Sequence, residues 1–253
     1  MLPVVELHGV QKSFGDLVAL DPIELTMSPG EVLTWLGPSG SGKTTLLRLI
    51  AGLERASSGE VLVGGRPPAV ARAAKRIGFV PQAPALLPWR TVEANARLLL
   101  DVNKRANPGD GPDPVALLDE VGLAEFRDAY PHELSGGMRQ RVALVRAFAL
   151  GAPILLMDEP FAALDEITRT DMRHLLVRLC EQFDTTVVFV THSLAEAVFL
   201  SDRVAVLSQR PGRIVGTVDI DLAHPRRPEV EDDPAFFALE SRLRHLLHEG
   251  AGR

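Results

Sequence analysis

The sequence is poor in several features that define whole classes of protein. It contains one cysteine, Cys180, among 253 residues, which rules out an internal disulfide and suits a reducing compartment. No window reaches about 18 uninterrupted apolar residues, and the most apolar stretch, residues 142–157, is interrupted by Arg146. The first residues lack the basic region and apolar run of a secretory signal. These absences predict a soluble, cytoplasmic protein in which Cys180 is a small core residue.

A surplus of basic residues is also missing. The chain has 27 Lys and Arg against 33 Asp and Glu, and its formal net charge is −6. Such a chain has no overall positive field to attract nucleic acid or anionic lipid. We therefore expect no nucleic-acid partner, and we expect that a protein partner would bring the chain to a membrane. The 46% of hydrophobic residues is ordinary for a globular protein with a sizeable core.

The order of sequence patterns predicts an α/β fold. Short β-rich runs occupy residues 1–36, and helical periodicity dominates residues 83–150, where residues 91–102 are predicted to form one helix. The apolar runs "PILLMD" and "TTVVFVT" flank a helical segment, which is the pattern of a βαβ unit with strands buried on both faces. We predict one domain over 1–253, with an antiparallel N-terminal β part, a mostly parallel sheet and a helical subdomain inserted at 83–150.

A short C-terminal extension, residues 216–253, is predicted to hold a strand and a helix. The helix has an apolar face formed by Phe236, Leu239, Leu243 and Leu246. A separate regulatory domain would not fit into a segment of this length.

The stretch "GPSGSGKTT" follows the apolar run "EVLTWL" and precedes a helical pattern. It satisfies G-x-x-x-x-G-K-[ST], in which glycines let backbone N–H groups point at phosphate oxygens. Lys43 would reach the β- and γ-phosphates, and the Thr44 hydroxyl would bind Mg²⁺. The motif predicts a P-loop NTPase core, whereas the alternative is a glycine-rich turn that binds nothing. The predicted nucleotide-binding residues here are Gly37, Pro38, Ser39, Gly40, Ser41, Gly42, Lys43, Thr44 and Thr45.

Two acids end the buried strand of "ILLMDEP". Ligands bind at the carboxyl ends of parallel strands, so these acids are expected beside the phosphate loop. Asp158 would hold the Mg²⁺ shell through water, and Glu159 would polarise the water that attacks the γ-phosphate. The alternative is that one of them caps the next helix.

A further segment, "LSGGMRQ" at residues 134–140, resembles the signature sequence of ATP-binding cassette ATPases. Other motifs follow in that family's order, namely "VPQ", "AALD" and "VTHSLAEA", and residues 4–215 fit the pattern. From the residues alone, Ser135 is expected to be the N-cap of the next helix, with two glycines leaving N–H groups open to an anion. The resemblance implies that this segment covers the γ-phosphate held by a second subunit, so that two chains sandwich two ATP molecules.

The resemblance also assigns roles residue by residue. Phe14 would stack on adenine, although tyrosine is common at that position and Phe14 lacks its hydroxyl. Gln82 would contact Mg²⁺ and the attacking water, and His192 would bond the γ-phosphate and orient water. The resemblance thus implies ATP and Mg²⁺ as cofactors. The catalytic residues would be Glu159, His192 and Gln82, and the metal-binding residues would be Thr44, Gln82 and Asp158. The nucleotide would also contact Phe14, Ser135, Gly136, Gly137 and Asp165.

The same resemblance suggests the partners and the type of transport. A detached cassette is typical of importers, and the segments "EAVFLSDRVAVLSQRPGRIV" and "RRPE…DDPAFFALESRLRHLL" resemble the nitrate, sulfonate and taurine group. This implies an identical second ATPase subunit, an integral membrane permease, an indirect solute-binding protein outside the membrane and a peripheral location on the inner face of the cell membrane. Lipid or drug export, or a soluble ATPase without a transporter, are the alternatives.

An apolar patch, defined here as residues 86–89, is expected to meet the permease. The alternative is that Trp89 packs inside the helical subdomain.

Overall fold

The computed structural model describes residues 4–109 and 111–251. Its strands are β1 (Val5–Phe14), β2 (Leu17–Met27), β3 (Val32–Leu36), β4 (Ser58–Val63), β5 (Ile77–Val80), β6 (Ile154–Asp158), β7 (Thr186–Thr191), β8 (Arg203–Leu207) and β9 (Ile214–Asp219). Its α-helices are α1 (Lys43–Ile50), α2 (Pro68–Ala73), α3 (Val92–Ala96), α4 (Leu98–Asp101), α5 (Pro114–Glu120), α6 (Gly136–Phe148), α7 (Glu166–Phe183), α8 (Leu194–Leu200) and α9 (Pro234–Ala251). This is the predicted α/β class.

The N-terminal strands form an antiparallel sheet in the order β2-β1-β4. Alternation along β2 buries Ile23, Leu25 and Met27 and exposes Glu24 and Thr26. A period of two places the apolar residues on one face, so the sheet covers the core with one side and meets solvent with the other. The predicted antiparallel part is therefore confirmed.

The second sheet has the order β5-β6-β7-β3-β8-β9. The neighbouring strands β5, β6, β7, β3 and β8 are all parallel, and β9 pairs antiparallel with β8 at one edge. Every residue of β7 is buried, as expected of a strand covered on both faces. The helix α7 connects β6 to its parallel neighbour β7, which confirms the predicted βαβ unit.

The sheet order brings three loops together. Strands β6, β7 and β3 are neighbours and run in the same direction, so their carboxyl ends lie at one edge. The phosphate loop follows β3, the acids Asp158 and Glu159 lie at the end of β6, and His192 follows β7. Segments far apart in sequence therefore converge on one site, at the edge of a parallel sheet where ligands bind.

The helices α3 to α6 occupy the predicted helical segment, and α3, α5 and α6 pack against one another. The single helix expected over residues 91–102 is instead two short helices that meet at Arg97. The side chains of Lys75 and Asn107 donate to carbonyls at the end of α4. These bonds satisfy carbonyl acceptors that are left open at the C-terminal end of α4.

The C-terminal helix α9 packs on β8, β9 and α8. Phe236 and Leu243 are buried, and Leu239 and Leu246 pack partly buried against the core, which confirms the predicted apolar face. Cys180 also packs against the core, and burial raises the pKa of its thiol, as expected of an unreactive core residue. In the described residues, no helix combines the length and apolar character needed to cross a bilayer.

Candidate functional site

The phosphate loop connects β3 to α1 and depends on one glycine conformation. Gly42 adopts φ 92°, in the left-handed region that favours glycine, immediately before the helix begins at Lys43. A Cβ atom at Gly42 would lie 2.5 Å from Leu20 Cδ2. The loop is thus shaped by a residue without a side chain, which leaves backbone N–H groups at a helix N-terminus open to an anion.

Lys43 is held inside this loop. Its side chain is 4% exposed, and its Nζ donates to the carbonyl oxygens of Gly37 at 2.8 Å and Pro38 at 2.9 Å. Nζ also lies 3.8 Å from Glu159 Oε1. Burial lowers the pKa of Lys43, while the nearby carboxylates of Glu159 and Asp158 oppose that effect.

Thr44 and Asp158 are in direct contact across the site. Thr44 Oγ1 donates a hydrogen bond of 2.9 Å to Asp158 Oδ1. Burial raises the pKa of Asp158, the bond from Thr44 opposes this, and the charge of Glu159 adds to it. A hydroxyl and a carboxylate side by side are hard oxygen ligands of the kind that Mg²⁺ takes together with phosphate oxygens and water. The donor set at this position fits that ion.

Glu159 has an unusual backbone and two charged or polar neighbours. Its φ of 43° lies in the left-handed region, which is strained for a residue with a side chain. Its N–H donates to Val190 O of β7 at 3.0 Å, which holds the residue in place. His192 Nδ1 lies 3.1 Å from Glu159 Oε2. The helix-cap alternative is not found, because Asp165 is the N-cap of α7.

Lys43, Thr44 and Glu159 line a cavity of about 450 Å³, which Asp158 and His192 do not line. The residues that line it are Phe14, Leu17, Ala19, Ser39, Gly40, Gly42, Lys43, Thr44, Thr45, Gln82, Glu159 and Arg210. The Phe14 side chain is 45% exposed, and Lys12 Nζ lies 4.6 Å from its ring centroid. The structure therefore brings Phe14 and Gln82 to the same cavity as the phosphate loop. Ser41 is buried in the loop and does not line the cavity.

Another group of predicted residues lies elsewhere in the chain. Ser135 Oγ accepts a hydrogen bond of 3.2 Å from Met138 N, which confirms the predicted N-cap of α6. Ser135 and Gly136 are exposed, and none of Ser135, Gly136 and Gly137 lines the cavity. Asp165 is also exposed and accepts from Thr168 N at 3.0 Å.

The sequence interpretation missed four residues near the site. Leu17 and Ala19 belong to a run that the pattern identified only as a strand, and Arg210 lies in a turn. Glu196 is 5% exposed and accepts a hydrogen bond from Thr191 Oγ1. Burial raises the pKa of Glu196, and the bond from Thr191 opposes that effect. No local pattern marks these residues, because only the fold brings them to the site.

The apolar patch at residues 86–89 is divided. Trp89 is 71% exposed, whereas Leu86 packs against the core. The alternative that Trp89 packs within the helices is wrong. The guanidinium of Arg146 fixes the backbone just before this patch by donating to Ala85 O at 2.9 Å and to Pro84 O at 2.7 Å.

Comparison with known proteins identifies the family. The model of the "ABC transporter" family matches residues 20–162. The chain is 44% identical over 245 residues to the aliphatic sulfonates import ATP-binding protein SsuB of Granulibacter bethesdensis, covering 97% of this chain and 94% of that protein. It is 40% identical over 239 residues to the nitrate import ATP-binding protein NrtC of Synechococcus elongatus, covering 93% of this chain and 36% of that longer protein.

A solved structure gives the same result. An ATP-binding cassette, solved as a dimer in a post-hydrolysis state bound to ADP and Pi, has a TM-score of 0.72 and 30% identity. The match covers 87% of this chain and all of that one. Family, relatives and fold agree, and the chain belongs to the ABC transporter family as an ATP-hydrolysing cassette.

Proposed function

We propose that this chain is the ATPase subunit of an importer for a small anion of the nitrate, aliphatic sulfonate and taurine type. The observation that carries the catalytic part is the meeting of Thr44, Asp158, Glu159 and His192 at the carboxyl ends of three neighbouring strands. The names of the sulfonate and nitrate import relatives support the direction of transport and the substrate class.

The phosphate loop binds the nucleotide in this proposal. Its N–H groups and Lys43 hold the phosphates, and Phe14 offers an exposed ring to the adenine. Thr44 and Asp158, with Gln82 at the cavity wall, are the side chains that would hold Mg²⁺. When bound, Mg²⁺ neutralises charge on the phosphates during transfer.

Glu159 is the general base in this proposal, and His192 is its neighbour in the reaction. Glu159 lines the cavity with its carboxylate 3.8 Å from Lys43 Nζ, so it faces the end of the phosphate loop. His192 Nδ1 lies within hydrogen-bond distance of the same carboxylate. A base must reach a water aligned with the γ-phosphate, and this position suits that task.

A second subunit completes the site. The segment Ser135–Gly137 caps and begins a helix of 13 residues, with Ser135 and Gly136 exposed, and it does not line the cavity of its own chain. Its open N–H groups suit the γ-phosphate of a facing cassette. The dimer of the related solved cassette supports this arrangement. Asp165 is exposed at the start of α7, and we infer that it lies at the same subunit interface.

A membrane permease is the other proposed partner. Residues 83–150 act as a helical subdomain that carries the patch at residues 86–89, where Trp89 is exposed. Docking of the permease there would place the chain on the inner face of the cell membrane, with the solute-binding protein acting only indirectly. An exporter or a soluble ATPase would share the catalytic residues, so the partner distinguishes these functions.

Ser135→Arg tests the two-subunit site. An arginine there would occupy the space of the facing γ-phosphate, so we expect hydrolysis to stop while the monomer still binds ATP. The control is Ser135→Ala, which removes the cap and costs about 1 kcal/mol of stability without adding bulk. Loss of ATP binding by the Ser135→Arg monomer would contradict the two-subunit model. Co-purification with a membrane permease tests the transport function.

A further inference from the structure

The turn between β8 and β9 brings a cationic side chain to the nucleotide cavity. Arg210 lines that cavity together with Lys43. A Cβ atom built on Gly40 of the phosphate loop would lie 3.7 Å from Arg210 Nη2. The guanidinium is therefore next to the loop that holds the phosphates, although residue 210 is 167 positions after Lys43 in the sequence.

The turn is fixed against the site by backbone contacts. Gly212 N donates to Ala19 O at 3.0 Å, and Asp21 N donates to Gly212 O at 2.9 Å. A Cβ atom at Gly212 would lie 2.0 Å from Ser41 O, so only glycine allows this approach to the phosphate loop. Ser208 Oγ closes the turn by donating to Pro211 O at 2.9 Å.

The charge of the cavity leaves a role for this arginine. Lys43 already donates to two carbonyls and faces the carboxylate of Glu159. A nucleoside triphosphate carries several negative charges, which exceed what one lysine neutralises. Arginine presents several N–H donors in a fixed fork that matches phosphate oxygens. Its position is exposed, so it can reach a ligand without repacking the core.

We propose that Arg210 is a nucleotide-contacting residue that binds the phosphates of ATP from the side of the β8–β9 turn. This inference rests on the proposed function of the cavity as the nucleotide site. Arg213, in the same turn, is also exposed but does not line the cavity. It is therefore a matched control for the loss of one positive charge from this turn.

Calorimetric titration of ATP into the full-length protein, with a chelator to prevent hydrolysis, tests the proposal. We expect Arg210→Ala to raise the Kd for ATP about 3- to 10-fold, and Arg210→Glu to raise it further. Arg213→Ala should change the Kd for ATP less than 2-fold, which is the size expected when an exposed charge outside the site is removed. Raising the salt concentration should weaken binding by the wild type more than by Arg210→Ala, because screening removes a charge contact.

Two results would overturn the proposal. The first is an unchanged Kd for ATP in Arg210→Ala. This result would overturn the proposal even if sedimentation showed that the variant no longer forms a dimer. The second is an equal loss in Arg210→Ala and Arg213→Ala, which would indicate a general charge effect. Failure of the proposed nucleotide site would give a different result from failure of the Arg210 proposal. In that case the wild type itself would not bind ATP, and Lys43→Ala would not change the titration.

Discussion

His192 Nδ1 lies 3.1 Å from Glu159 Oε2. The other carboxylate oxygen of Glu159 lies 3.8 Å from Lys43 Nζ, so the glutamate is held between a histidine and a buried lysine. Its own backbone is in the left-handed region, at φ 43°. Strained conformations of this kind persist only where surrounding contacts enforce them, and they concentrate at functional sites. These contacts thus hold the carboxylate of Glu159 in one position, facing the phosphate loop.

Glu159→Gln is expected to lower kcat at least about 100-fold, because an amide cannot accept a proton from water. The side chain keeps its size, so ATP affinity measured with a chelator should stay within about 2-fold of the wild type. In the presence of ATP, the variant should then accumulate as a dimer, which sedimentation detects. The control is Glu166→Gln, which removes an exposed carboxylate paired with Arg169. Hydrolysis by Glu159→Gln near the wild-type rate would exclude this residue as the base.

His192→Ala should also lower kcat with little change in ATP affinity, since the imidazole faces Glu159 and does not line the cavity. The two residues share one contact, so their effects should not add. We expect the double variant Glu159→Gln/His192→Ala to lose about as much kcat as Glu159→Gln alone. Multiplicative losses in steady-state kinetics would show that the two side chains act independently.

Much of this site could be predicted because short motifs mark it. The phosphate loop, the acids after β6 and the histidine after β7 each follow an apolar strand, and parallel neighbours place strand ends together. Arg210 and Glu196 could not be predicted in this way. Their positions depend on the docking of a turn on β2 and on a hydrogen bond to Thr191, and neither contact leaves a periodic or motif pattern.

The end of α4 at Asp101 also involves tertiary contacts. The local pattern favours one helix over residues 91–102. The side chains of Lys75 and Asn107 satisfy the carbonyls at its end. These tertiary hydrogen bonds stabilise the end of α4, and they do not account for the break at Arg97.

Two aspartates should change stability in opposite directions. Burial raises the pKa of Asp158, so its charge opposes folding, whereas the bond from the Thr168 N–H lowers the pKa of Asp165. In thermal unfolding at pH 7 without nucleotide, Asp158→Asn should raise Tm and Asp165→Ala should lower it. Asp158→Asn should nevertheless abolish Mg²⁺-dependent hydrolysis.

The pH dependence gives a further check on the same pair. The folded pKa of Asp158 lies above its ordinary value of 3.8, so its destabilising effect is full above the folded pKa and disappears as the pH falls to the ordinary value. The gain in Tm from Asp158→Asn should shrink across that interval. The folded pKa of Asp165 lies below 3.8, so its stabilising effect is lost as the pH falls through that lower pKa. Equal gains for Asp158→Asn at pH 7 and near pH 3 would contradict the assigned cause.

Trp89 should be required for contact with the permease and dispensable for folding. The chain beneath it is fixed, because Arg146 donates to the carbonyls of Pro84 and Ala85, and Asn95 donates to Leu87 O and Arg90 O. A fixed segment that exposes a tryptophan offers an anchor of the type that dominates protein interfaces. We expect Trp89→Ala to weaken co-purification with the permease about 10-fold or more, with unchanged Tm and unchanged ATPase rate of the isolated subunit. Phe237→Ala, which removes an exposed aromatic on α9, is the control and should leave co-purification intact. Equal retention of the permease by both variants would place its docking surface elsewhere on the chain.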